Sequence, residues 1–502
     1  MKRMKTSILN ICALALGAAA VVSCDLDLFP NDGIAYNENG QLIQSEANLT
    51  SLENGILSSF RSYQNGKFYM TEEVMLDGFN ATLDYGNNYG GVHQTNYTFT
   101  SSDYDVEDFW AYHYIGIKNY NIMIAACDNV PEALVAKARV AKGEAFFFRA
   151  ASYLNLARHF GKAYSASTAA TDLCVPLVLV YKQNEKPARA TVKAVYDQIK
   201  TDLDSAAVLL ASVPGAVRAQ KPTIDAVNAL YARYYLDIAD YANAALYAHK
   251  VIDTDTYALA SSEEEMTAEY VNDEGKEAIM QMFVSLTEFT GNAFDIWTIP
   301  TKDEKYGEIF RPYFIPSNTL VKAYEGTDLR LAAWFDNEVT VQLTGSYYTG
   351  DFYTFTKFRG NPALTSSPIR NARQAPKPFK IAEMYLIAAE AELNTDVAAA
   401  KADLNILQSK RGATSTEATI ENVRNEWFKE TVGEALRMSC LKRWGMGFSG
   451  RPAQPKAAIV LNSGEFFTDK VLAADSHYFQ WPIPSHEMKV NKNLVQNDGY
   501  TD

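Results

Sequence analysis

Apolar side chains recur three and four positions apart along most of this chain, which is the period of helices that bury one face. Ser45 to Tyr63 places Ala47, Leu49, Leu52, Ile56, Leu57 and Phe60 on one side. Asp105 to Asn129 does the same with Phe109, Trp110, Tyr112, Ile115 and Ile122. Pro131 suits the first position of a new helix, where its missing N–H costs nothing. Ala136 to Phe160 follows with Phe146, Phe147, Ala150, Tyr153, Leu154 and Ala157, and Gly161 stops it. Further helices are predicted over Thr191–Leu210, Thr223–Ile238 with Thr223 as cap, and Ala242–Ile252. The period returns late, over Phe379–Leu393, Val397–Lys410 and Thr419–Arg443.

Between these blocks the helical period is lost. Residues 65–104 and 254–378 are rich in Gly, Asn, Asp, Thr and Tyr. The longer one holds short strand-like runs, Ala278 to Phe283 and Val339 to Leu343. Long interruptions of a helical scaffold usually carry function. Residues 480–500 are again irregular. The faces of the paired helices carry alanine and tyrosine, as in Ala226, Ala229, Tyr231, Ala232, Tyr235, Ala244, Ala245 and Ala248. Small and flat residues suit close helix crossings. About 33 residues separate the pair starts at Arg189 and Pro222, a spacing similar to tetratricopeptide repeats. The pattern therefore predicts a mainly α chain. Helical hairpins over about 105–253 and 379–445 carry loop-rich, partly β segments over about 65–104 and 254–378.

The N-terminus follows a different logic. Lys2, Arg3 and Lys5 precede an apolar run from Ile8 to Val22, which is short for a bilayer span and ends in Ser23-Cys24. A small residue before a cysteine at that point is similar to a bacterial lipobox. It predicts a lipoprotein signal over 1–23, acylation of Cys24, and a tether over 24–44 that opens with Asp25-Leu26-Asp27-Leu28-Phe29-Pro30. The body then spans 45–502. Acyl chains on one cysteine hold a protein at a membrane, at roughly 0.8 kcal/mol per buried CH₂.

Charge narrows the partners. The 502 residues carry a formal net charge of −14, and removing the signal would strip three positive charges and no negative ones. Such a surface repels nucleic acid and anionic headgroups, so contact with the membrane falls to the lipid. Of five cysteines, Cys127, Cys174 and Cys440 would remain beside Cys24. They are odd in number and widely spaced, so they read as small apolar fillers and form neither a disulfide framework nor a zinc pattern. The aromatic share, 30 Tyr, 25 Phe and 6 Trp, is high, and many tyrosines lie in the irregular segments beside Asn and Gly. Tyrosine joins a flat apolar face to a polar tip, which suits carbohydrate or peptide.

Catalytic patterns are weak. Glu426, Glu430 and Glu434 share one helix face, but Arg424, Lys429, Arg437 and Lys442 surround them and predict structural ion pairs. The six histidines form no His-Glu-x-x-His and no close pair, so no metal site is expected from motif. Ser101-Ser102-Asp103 lacks a nucleophile elbow, and Gly86, Gly90 and Gly91 do not lead from a strand into a helix. No cofactor is implied, and the chain reads as non-catalytic. Binding candidates lie instead on the irregular segments. The first set is Asn80, Tyr85, Asn87, Asn88 and Tyr89, within Asp77 to Gly90. The second is Phe294, Trp297, Tyr306, Phe310 and Tyr313, and a third is Tyr347, Tyr348, Phe352 and Tyr353. From these, Asn80, Tyr85, Asn87, Asn88, Tyr89, Trp297, Tyr306 and Tyr313 are the expected ligand contacts, aromatic faces stacking and amides giving direction.

In order along the chain, these segments resemble the SusD/RagB family of outer-membrane nutrient-binding lipoproteins. The resemblance rests on Cys24-Asp25-Leu26-Asp27-Leu28 with Pro30 and on Gly143 to Ala150 with Tyr153, Arg158, Phe160 and Gly161. It continues through Val175-Pro176-Leu177 and Arg189-Ala190-Thr191-Val192 with Tyr196 and Asp202. Its C-terminal part is Ala382 to Ala391, Leu404-Asn405 through Arg411, Glu426 to Gly445, Trp481-Pro482-Ile483-Pro484, and Gln496 to Tyr500. Two positions depart from the pattern: Ala435 stands where glycine is usual, and Cys440 where aspartate is usual, both expected in a scaffold helix. The resemblance implies four repeat-like helix pairs and a loop-rich ligand face. It implies a lid role over a SusC-like TonB-dependent transporter, with oligosaccharide as ligand or, in the RagB-like branch, oligopeptide. A surface hydrolase and a scaffolding adaptor are the other readings the helical repeats leave open.

Overall fold

The computed structural model describes residues 41–64, 66–84, 89, 91–92, 99–182, 184–289, 300–366, 372–448 and 472–501. The expected signal, Cys24 and most of the tether lie outside them. Helix α1 (Glu46–Arg61) starts where the Ser45 hydroxyl accepts from the Asn48 N–H, and it buries Leu49, Ile56 and Phe60. Helix α2 (Lys67–Met75) and strand β1 (Phe79–Ala81) follow inside a stretch expected to be irregular. Helix α2 is buried on nearly every side, Glu72 and Glu73 included, so it has no polar face to betray its period. Helix α3 (Tyr104–Ala126) is capped by Asp103. Pro131 caps a short 3₁₀ turn, Glu132–Leu134, and does not open the next helix itself. Helix α4 (Val135–Phe160) then runs 26 residues and ends at Gly161.

Thr223 caps α6 (Ile224–Asp237), as expected, and Thr191, expected as the first helical residue, caps α5 (Val192–Leu209) in the same way. Helix α7 (Tyr241–Ile252) completes this block. Neighbours in sequence pack in space: α3 on α4, α4 on α5, α6 on α7. The long irregular segment contains α8 (Glu263–Tyr270), β2 (Ala278–Met280), β3 (Pro300–Asp303), β4 (Gly307–Phe310), β5 (Phe314–Pro316), α9 (Asn318–Lys322), α10 (Leu329–Trp334), β6 (Phe335–Asp336), β7 (Val341–Leu343), β8 (Ser346–Tyr348) and β9 (Thr354–Phe355). It closes with β10 (Phe379–Lys380), which pairs antiparallel with β2 and brings the two ends of the insertion together. Helices α11 (Ile381–Glu392) and α12 (Val397–Lys410) resume the scaffold, with α11 packed on both α7 and α12. So the helical layer is continuous in space although the insertion divides it in sequence.

Two sheets matter for the site. β1 pairs antiparallel with β5, and β3, β4, β7 and β8 form a four-stranded sheet in that order. That sheet has a small core of its own, Phe310, Ile315, Val341, Leu343 and Phe352.

The helix expected over Thr419–Arg443 is two helices, α13 (Ile420–Glu430) and α14 (Arg437–Arg443); a short α15 (Ser485–Val490) lies near the end. Gly433 at φ +77° and Ala435 at φ +53° force the break. Ala435 therefore sits in a turn and not within a helix, in the left-handed conformation that explains glycine at its position and costs an alanine about 1–2 kcal/mol.

The three glutamates are ion-paired, but mostly to partners far away in sequence. Glu426 and Glu430 meet Arg330 at 2.7 and 2.8 Å, Glu430 meets Arg411 at 2.6 Å, and Glu434 meets Lys357 at 2.6 Å and Lys380. Of the neighbours expected to pair with them, Lys429 reaches Glu426 at 3.0 Å. Arg437 pairs with Asp77, and the Lys442 ammonium donates to the Gly161 carbonyl. Cys174 and Cys440 are buried free thiols and Cys127 is half-buried; desolvation pushes the Cys440 thiol up to about 11, consistent with packing residues.

Candidate functional site

The exposed chemistry gathers on the four-stranded sheet. One Asp303 oxygen accepts from the backbone N–H groups of Lys305 (2.8 Å) and Tyr306 (2.9 Å), and Gly307 turns the chain at φ +77°. A side-chain cap and a left-handed glycine make a tight hairpin between β3 and β4. This holds Tyr306 at the tip, 40% exposed. Tyr347 projects from β8, 38% exposed. Their ring centroids are 4.6 Å apart at 32°. The Tyr347 hydroxyl donates to the other Asp303 oxygen at 2.7 Å. That bond lowers the Asp303 carboxyl and raises the Tyr347 hydroxyl, so the carboxylate is charged at neutral pH. The Lys305 ammonium donates to the Tyr306 hydroxyl at 2.8 Å and lies 4.6 Å from the ring centre. The result is a pair of fixed aromatic rings, open to solvent, beside one acid and one amine. Flat apolar faces with polar tips at the rim fit a ring that is apolar on its faces and hydroxylated at its edge.

A concavity of about 350 Å³ lies between α9 and the loop after β8. Asn318, Lys322, Asn337, Asp351, Phe352 and Tyr353 line it. Its size falls at the small end of ligand sites, and its mix of aromatic surface with a few polar groups is the usual one. A second cavity, about 70 Å³, lies among Tyr69, Arg233, Tyr270, Lys380, Glu383 and Glu434. Within its lining Arg233 donates two bonds of 2.5 Å to Glu383. It has room for about two waters and not for a sugar ring.

The expected contacts divide on this structure. Tyr306, from the second set, and Tyr347, from the third, come together as one platform. Tyr313 is half-buried against the main core. Asn80 lies in β1 opposite Ile315 and is 1% exposed, and Tyr89 is 4% exposed with its ring 6.3 Å from that of Phe314. Both are therefore withdrawn from the exposed set: pairing of β1 with β5 covers the segment that was expected to be a free loop. Tyr85, Asn87, Asn88, Trp297 and Phe294 lie outside the described residues. The first segment still reaches the sheet, because Asp84 accepts from the Thr344 N–H at 2.7 Å, in the turn between β7 and β8. Asp303 and Lys305 were missed by sequence reasoning. The signal was present as Asp303-Glu304-Lys305-Tyr306-Gly307, an acid and a glycine four apart, which is hairpin chemistry that places Tyr306 at a tip.

Residues 30–236 match a family described as "Starch-binding associating with outer membrane", and residues 330–500 match the SusD family. A stretch of 124 residues, 24% of this chain, is 29% identical to the starch-binding protein SusD of Bacteroides thetaiotaomicron; it spans 21% of that protein's length. A solved SusD superfamily protein from Bacteroides thetaiotaomicron superposes with a TM-score of 0.74 at 22% identity, covering 90% of this chain and 99% of its own. A SusD-like carbohydrate binding protein from Bacteroides vulgatus gives 0.73 at 20% identity, covering 90% and 98%. At these identities the structural likenesses speak to the fold.

Proposed function

The chain belongs to the SusD/RagB family, and we propose that it is a cell-surface lipoprotein that captures oligosaccharides and passes them, as a lid, to a SusC-like TonB-dependent outer-membrane transporter. The observation that carries the ligand class is the exposed Tyr306–Tyr347 pair beside Asp303. The family description and the starch-binding relative support the same class. Capture needs no chemistry, and the glutamates that could have served as acid and base are occupied in buried ion pairs. Tyr85, Asn87, Asn88 and Trp297 are proposed to complete the platform.

Calorimetry of the purified body against a panel of oligosaccharides and oligopeptides tests this reading. Tyr306→Ala and Tyr347→Ala should each weaken the bound glycan by roughly 1–3 kcal/mol, as truncated aromatic anchors do, at unchanged melting temperature. Binding of peptides alone would replace the ligand class. Full affinity in both variants would remove the pair from the site.

Membrane attachment is proposed to run through Cys24, on the strength of the apolar run that ends in Ser23-Cys24. No helix among the described residues is long and apolar enough to cross a membrane. Cys24→Ser should shift the protein from the membrane fraction to the soluble one and abolish incorporation of labelled fatty acid. Membrane retention of an unlabelled Cys24→Ser protein would refute acylation as the anchor.

A further inference from the structure

Away from the ligand face, three successive scaffold helices bring one imidazole and two carboxylates to a point. His249 is near the end of α7, Glu392 is the last residue of α11, and Asp403 is in α12. His249 Nε2 is 2.8 Å from Glu392 Oε1 and 3.3 Å from Asp403 Oδ2. One ligand atom from each residue lies within 4.8 Å of the others. Glu392 and Asp403 are 6% and 5% exposed. The buried Glu392 Oε2 has no hydrogen-bond partner, and Asp403 Oδ2 has only the imidazole at 3.3 Å. The surroundings add negative charge: Asp253 lies 3.8 Å from His249 Nδ1, and the charges of Asp403, Asp255 and Asp253 all act on the neighbouring Tyr385 hydroxyl. Two buried carboxylates facing one imidazole leave charge and lone pairs uncompensated, which proteins resolve by pairing or by metal coordination.

We propose that His249, Glu392 and Asp403 bind a divalent cation of the zinc class. Neutral imidazole nitrogen with carboxylate oxygen is a zinc donor set, at bonds of about 2.0–2.2 Å. Tetrahedral bonds of that length set ligand atoms roughly 3.3 Å apart. The His249–Asp403 distance already has that value, and the His249–Glu392 distance reaches it by a small rotation of the ring. Asp253 lies on the Nδ1 side of the imidazole at 3.8 Å, beyond hydrogen-bond distance but near enough to favour a cation there. His249 is partly exposed, which leaves an entry path and a fourth position for water. The cation would join α7, before the insertion, to α11 and α12, after it, and so clamp the base on which the ligand face stands.

The test uses tag-free protein, stripped with a chelator and then given zinc chloride in competition with a chromophoric zinc indicator. One equivalent should be taken up, with a rise in melting temperature of a few degrees at a hundredfold excess over Kd. Cobalt in place of zinc should give the visible bands of a tetrahedral site. His249→Ala and Asp403→Asn should lose at least tenfold in affinity, while His486→Ala should not. Circular dichroism identifies any variant that fails to fold; Glu392→Gln, nearly isosteric, then supplies the comparison. No stoichiometric uptake by folded wild type would overturn the proposal and leave the trio an imidazolium–carboxylate cluster. Uptake that survives both His249→Ala and Glu392→Gln would overturn it equally.

Discussion

Arg411→Met should cost the protein about 3–5 kcal/mol, a large part of the 5–15 kcal/mol that holds a typical domain together. Arg411 is fully buried and uses all five of its N–H groups. Nε donates to Glu430 Oε2 at 3.0 Å; Nη1 donates to Glu277 Oε1 at 2.6 Å and to the Ala260 carbonyl at 2.8 Å. Nη2 donates to Glu277 Oε2 at 3.0 Å and Glu430 Oε1 at 2.6 Å. Burial alone would raise the Glu430 carboxyl, but the charges of Arg411 and Arg330 reverse this and hold it well below the usual carboxylate range. Methionine fills the volume but leaves the Glu277 carboxylate with the Ala260 N–H and no cation, and leaves Glu430 to Arg330 and the charge of Lys357. The cost thus lies in the orphaned charge more than in the lost bonds. Urea midpoints of a double-mutant cycle measure it: Glu277→Gln should destabilise the wild type but restore part of the loss in Arg411→Met. A loss under 1 kcal/mol, or additive effects, would refute this account.

That network also marks where the sequence was legible and where it was not. Val397–Lys410 emerged at the expected bounds, and α5 and α6 within a residue, because each buries one stripe and starts at a capping side chain. Helix α2 was hidden because core positions are held by Glu72 and Glu73. Their carboxylates accept from the backbone N–H groups of Met438 and Ala435, which no local window contains. The break between α13 and α14 was hidden because an alanine occupies one of its two left-handed positions. The ion-paired fate of Glu426, Glu430 and Glu434 was expected correctly, but their main partners come from the insertion, from β10 and from Arg411 at the C-terminal end of α12, which only the fold brings near. The site behaved in the same way. Tyr306 and Tyr347 were each visible as aromatics outside a helical period. Their contact depends on the order β3-β4-β7-β8, a register that periodicity does not encode. Asn80 looked like loop chemistry beside Gly78, yet it sits in a three-residue strand covered by β5.

Glu73→Gln should make the protein more stable at pH 8.5 than the wild type, while leaving the two alike near pH 5. The Glu73 carboxyl is buried in α2, and burial first, then the charge of Glu72, pushes it up from 4.5 to about 8 against bonds from Ala435 and Gly433. The sign follows from proton binding. Between about 4.5 and 8 the native state holds a proton on Glu73 that the unfolded chain has released, so stability falls as pH rises through that window and levels off above it. Each pKa unit corresponds to about 1.4 kcal/mol, so a rise from 4.5 to about 8 implies a penalty of roughly 5 kcal/mol at pH 8.5. Glutamine keeps an oxygen to accept from the Ala435 N–H and has nothing to ionise. Asp105, raised by burial to about 7, tilts the same curve in the same direction, but it is present in both proteins and cancels in the comparison. Urea unfolding at pH 5 and 8.5 reads the difference directly. A gap between the two proteins that stays constant with pH would show that Glu73 titrates normally. A variant weaker at both values would show that the carboxylate itself, and not its neutral acid, is what the turn at Ala435 requires.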